Sequence, residues 1–64
     1  MKINTRFIEI KMAEQGLTQK ALAENCGMAP TNFGRILRRG TCEPITVGKL
    51  ARGLEVSVEE VISE

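Results

Sequence analysis

The chain reads as an all-α domain of five short helices, and three observations lead there. Apolar residues recur at spacings of three and four, with only a weak alternation in L-E-V-S-V near the C-terminus. Pro30 and Pro44 each open an amphipathic run, a position proline suits because the first helical N–H has no intrahelical partner. Gly16, Gly27 and Gly40 fall where such runs end.

In chain order, Ile3, Phe7 and Ile10 form an i, i+4, i+7 stripe, with Asn4 or Thr5 as N-cap and Gly16 as the stop. Thr18 caps a second helix, Gln19–Asn25, whose apolar contribution is Ala21, Leu22 and Cys26. Gly27 and Met28 make the turn to a third helix, Pro30–Arg39, ended by Gly40. Glu43 stands as N-cap of a fourth helix starting at Pro44, with Val47, Leu50, Ala51 and Leu54 as its apolar stripe. Gly48 and Gly53 lie inside it, either to admit a close neighbour or as soft points. Ser57 opens a last helix, Val58–Ser63, and Glu60 three residues on completes a capping box. No linker long enough to divide the 64 residues appears, so residues 1–64 are expected to form a single domain.

Composition excludes several classes. An apolar fraction of 42% spread along the chain argues for a folded domain. No apolar run approaches the roughly 20 residues that span a bilayer. The start, M-K-I-N-T-R-F-I-E-I-K, lacks the uncharged core of a signal peptide, so a cytoplasmic protein is expected, with no membrane partner. Cys26 and Cys42 fit free thiols better than a disulfide framework. With no His, no Asp and no C-x-x-C, no metal site or cofactor is expected. The same absences, with no Tyr, leave Glu, Lys and Cys as acids and bases, and so short a chain has little volume to enclose a small molecule. An enzyme is not expected.

Net charge is only +1, but its distribution is uneven. Residues 1–24 set four cations against three acids. Residues 25–42 carry Arg35, Arg38 and Arg39 and no acid, and residues 43–64 set two cations against five acids. The basic block coincides with the third helix, G-M-A-P-T-N-F-G-R-I-L-R-R-G. Phe33, Ile36 and Leu37 share one side of it; Thr31, Gly34, Arg35 and Arg38 share the other. An apolar face backs a cationic one, as an anion-facing surface requires.

Three pieces of sequence, in order, are similar to the lambda-repressor-like, Cro/Xre-type helix-turn-helix family of bacterial and phage regulators: G-L-T-Q-K-A-L-A at 16–23, G-M-A-P-T-N-F-G-R-I at 27–36 and K-L-A-R-G-L-E-V-S-V-E-E-V-I at 49–62. The resemblance implies a compact five-helix domain with a helix-turn-helix formed by helices 2 and 3, and helix 3 as the recognition helix in the major groove. It implies phosphate contact by Gln19, and base reading by Thr31, Asn32 and Arg35. Arg35 suits guanine, Asn32 suits adenine, and Thr31 suits a thymine methyl or an acceptor. Gly34 would let the helix sit close to the groove floor. Arg38, Arg39 and Thr41 are placed for phosphates at the helix end and the following loop. The chain departs from the family where relatives pair an arginine in the first helix with a glutamate in the third. Met12 and Leu37 stand there, an apolar exchange that folds tolerate. Glu55 stands where relatives often have Gly, marking an unusual end to helix 4.

The function so implied is a sequence-specific double-stranded DNA-binding transcriptional regulator, a repressor acting as a homodimer. The dimer rests on the resemblance and on Val56, Val58, Val61 and Ile62, more apolar surface than a short last helix needs for itself. A protein-interaction module, such as an antitoxin-like or anti-repressor subunit working through the acidic C-terminal third, is the alternative. RNA binding is weaker, because Phe7 and Phe33 are the only aromatics and both read as core.

Overall fold

The computed structural model describes residues 1–63. Its helices are α1 (Thr5–Gln15), α2 (Gln19–Cys26), α3 (Pro30–Arg39), α4 (Pro44–Leu54) and α5 (Val58–Val61). Starts follow from caps. The Asn4 Oδ1 accepts from the Phe7 amide at 3.0 Å and the Thr18 Oγ1 from the Ala21 amide at 3.1 Å, each satisfying a first-turn donor. At α5 the Ser57 amide and hydroxyl both donate to the Glu60 Oε1, at 3.3 and 3.1 Å. Glu43 precedes α4 as expected but caps no amide with its side chain; Pro44 removes one of the donors that needed it.

Gly16, Gly27 and Gly40 end α1, α2 and α3 at φ between 68° and 73°, the left-handed geometry that releases the chain into a turn. α4 ends the same way on Glu55, at φ 60°. A side chain there costs about 1–2 kcal/mol. The turn still closes, with the Glu55 amide donating to the Arg52 carbonyl and the Val56 amide to that of Ala51.

All five helices feed one core. Ile8, Leu22, Ala23, Phe33, Val47, Leu50, Leu54 and Val61 are fully enclosed, joined by Ile3, Cys26, Ile36 and Ala51. α2 packs on α3 and α4, and α5 and α1 close over α4. Met12 and Leu37 are both half-buried against this core, so the apolar pair at these positions contributes packing area. Cys26 and Cys42 are free thiols, and burial pushes both up from the ordinary thiol value.

Several expectations need correction. The stripe on α1 is not Ile3, Phe7 and Ile10: Ile8 is enclosed, Phe7 is half-buried with the Lys11 ammonium 5.7 Å from its ring centre, and Ile10 is 46% exposed. Ile3 precedes the helix, so its spacing carried no helical phase. In α2, Ala23 takes the enclosed place expected for Ala21. α5 stops at Val61 instead of Ser63, because Ile62 and Ser63 run extended beside the N-terminal segment. There the Asn4 amide donates to the Val61 carbonyl at 2.7 Å and the Ser63 amide to the Lys2 carbonyl at 3.1 Å. The apolar tail is largely consumed by this closure. Val61 is buried and Val56 and Ile62 pack on the core, which leaves Val58 outside at 43% exposure.

The two glycines of α4 turn out to be unlike. A Cβ on Gly53 would collide with the Cys26 Sγ and stand 3.2 Å from that residue's backbone nitrogen, so α2 and α4 meet through the bare backbone. A Cβ on Gly48 would meet only the flexible tip of Arg52, at 3.5 Å. Gly53→Ala should therefore destabilise by about 1–3 kcal/mol through forced separation of the helices. Gly48→Ala should stabilise by up to about 1 kcal/mol through helix propensity. Paired urea melts check this; equal effects at the two sites would contradict the close approach.

Candidate nucleic-acid interface

The surface in question is built on α3, and its position follows from how α3 is held. Met28 donates back to the Ala23 carbonyl at 2.9 Å, fixing the turn at Gly27 and the angle at which α3 leaves α2. Phe33 and Ile36 then bind α3 to the core, with Leu37 beside them. At about 100° per residue, the rest of the helix presents a continuous outer arc that runs Gly34, Arg38, Thr31, Arg35, Arg39, Asn32. Thr31, Asn32, Arg35, Arg38 and Arg39 are all exposed.

The neighbouring elements divide this arc into a centre and two flanks. Thr31 and Arg35 occupy the centre. On one flank a Cβ at Gly34 would lie 3.7 Å from the Gln19 Oε1 and 3.9 Å from the Arg38 Nη1, so the tips of Gln19 and Arg38 converge over that position. Gly34 is thus half-covered by these two side chains and does not offer bare backbone to a ligand at the centre of the face. Its replacement by Ala would make only ordinary contacts. On the other flank, Asn32 and Arg39 border a shallow groove with Thr41, Cys42 and Thr46, floored in part by Ile36. Asn32 therefore pairs spatially with Arg39 and the loop, not with Thr31 and Arg35. The structure brings together the seven residues expected to work as a set, but as three subgroups.

Electrostatics favour an external anion. Among the described residues the ion pair present is Lys11 with Glu14 on α1, 3.1 Å apart, and no carboxylate lies within 4.0 Å of Arg35, Arg38 or Arg39. No side-chain hydrogen bond among the described residues engages any of the three. Glu43 lines the same groove as Arg39. Arg38 and Arg39 also lie in the last turn of α3, where cations complement the helix dipole. That local role does not extend to Arg35, which lies outside the last turn.

Thr41 is half-buried and immediately follows the Gly40 that ends α3. Its backbone is paired with Lys2 of the opening segment. Periodicity offers no signal for such a pairing, since it joins residues 39 apart.

Among the described residues no helix is long and apolar enough to cross a membrane. No protein-family model, curated protein or solved structure matches the chain.

Proposed function

We propose that the chain is a sequence-specific double-stranded DNA-binding regulator of the lambda-repressor-like, Cro/Xre type, in which α2 and α3 act as a helix-turn-helix. α3 enters the major groove; Thr31, Asn32 and Arg35 read bases, and Gln19, Arg38, Arg39 and Thr41 hold phosphates. The observation that carries the reading is the outer arc of α3, whose three arginines have no carboxylate partner among the described residues while the opposite face is locked into the core. A rigid element with unspent cationic donors on one side meets the geometric demand of groove recognition. Repression and the homodimer enter through the family resemblance. The tail offers the dimer little support, because Val58 alone of its four apolar residues stays exposed.

The acidic C-terminal third supports the protein-interaction alternative less well. The Glu60 carboxylate is engaged in capping α5, so one of its acids has local work. RNA recognition by base stacking lacks a platform, since Phe33 is enclosed and Phe7 half-buried.

Gel-shift titration of duplex DNA at two salt concentrations tests the proposal. With Arg38 and Arg39 each neutralising a phosphate, binding should weaken by roughly 12-fold for each bound subunit between about 50 and about 200 mM salt. Absent duplex binding at the lower salt would remove the proposal and favour a protein partner.

A further inference from the structure

The segment from Met1 to Asn4 is the middle strand of a three-stranded patch too short to register as a sheet. On one side the Ile3 amide donates to the Gly40 carbonyl and the Cys42 amide to the Met1 carbonyl, both at 3.0 Å. These two bonds bracket Lys2 and Thr41 as a directly opposed antiparallel pair of the kind that does not bond to itself. On the other side the Asn4–Val61 and Ser63–Lys2 bonds bracket Ile3 and Ile62 in the same way. In such pairs the two side chains stand on one face and closer together than in the hydrogen-bonded kind.

The pleat then decides where Lys2 goes. Ile3 is 5% exposed and Ile62 packs on the core, so that face of the middle strand points inward. Successive side chains alternate, so Lys2 and its opposite number Thr41 point outward. Cys42, one residue past Thr41, is half-buried against the core, as the same alternation requires. Thr41 sits two residues beyond the end of α3 and lines the same groove as Arg39.

We infer that Lys2 is a further phosphate-contacting residue of this interface, delivered beside Thr41 by backbone pairing and extending the cationic surface past the end of α3. The inference rests on the DNA-binding reading above. Lys2 is exposed, and no carboxylate among the described residues lies within ion-pair distance of it. Its flexible four-carbon stem suits a phosphate, which needs a point charge and no fixed orientation. The contact carries no base information, so it should contribute equally on every sequence.

The test is a salt series of binding to duplex DNA for the parent, Lys2→Gln, Lys2→Arg and Lys11→Gln, with a thermal melt of each. The pairing of the opening segment is made by main-chain groups, so Lys2→Gln leaves it intact and should melt with the parent. Its affinity should fall by roughly five- to tenfold near 0.1 M salt, and the slope of log K against log salt by about one for each bound subunit. Lys2→Arg should restore both. Lys11→Gln, which removes a cation already paired on α1, should bind like the parent. A parent that binds steeply while Lys2→Gln keeps its slope would overturn the role of Lys2 and leave the DNA reading standing. A parent that does not bind duplex DNA would overturn both. A lowered slope in Lys2→Arg as well as Lys2→Gln would also count against the contact, since charge alone should suffice.

Discussion

Phe33→Ala is expected to destabilise the protein by about 3–5 kcal/mol, through lost burial and the cavity left behind. Phe33 is the largest fully enclosed side chain and fastens the inner face of α3 to the core. Stability of roughly 0.05–0.15 kcal/mol per residue gives a 64-residue chain about 3–10 kcal/mol in all. The substitution should therefore consume most of it and leave a substantial unfolded fraction at room temperature. A neighbour on the same helix supplies the contrast. Arg35 is exposed and bonds to no described side chain, so Arg35→Ala should melt with the parent. Urea melts of both variants check the division of α3 into a folding face and a working face. A loss below about 1 kcal/mol for Phe33→Ala would mean the helix is held by something other than its apolar side.

That division was legible in the sequence because both of its signals are local. Pro30 and Gly40 bound α3 at its observed limits, and the three- and four-residue spacing of Phe33, Ile36 and Leu37 set its phase. The stripe of α4 and the Ser57–Glu60 cap were legible for the same reason. What periodicity could not supply was anything decided by distant partners. Ile3 belongs to a paired strand, so counting it into α1 rotated the inferred inner face from Ile8 toward Ile10. Ile62 and Ser63 read as helix until the opening segment offers them backbone partners. Gly53 was ambiguous until Cys26 stood against it. In the candidate site the outer arc was readable residue by residue. Its split into flanks was not, since that depends on where Gln19 and the loop at Thr41 arrive.

The second large effect is expected at Arg35, in binding. It stands at the centre of the outer arc, one turn beyond Thr31 and away from both flanks, where a guanidinium can address a guanine edge with two hydrogen bonds. Arg35→Ala should cost about 1–3 kcal/mol on the preferred sequence and flatten preference at one base pair. Arg39 lies on the flank toward the loop, beside Asn32 and Thr41. Arg39→Ala should weaken binding to all sequences about equally and lower the salt slope by roughly one unit per subunit.

Binding of parent, Arg35→Ala and Arg39→Ala to a panel of single-base variants of a selected duplex therefore tests most directly whether the outer face of α3 reads DNA. The expected result is loss of discrimination at one position for Arg35→Ala, against a uniform loss for Arg39→Ala. Unchanged discrimination at every position for Arg35→Ala, with the parent clearly sequence-selective, would contradict base reading from the centre of this face.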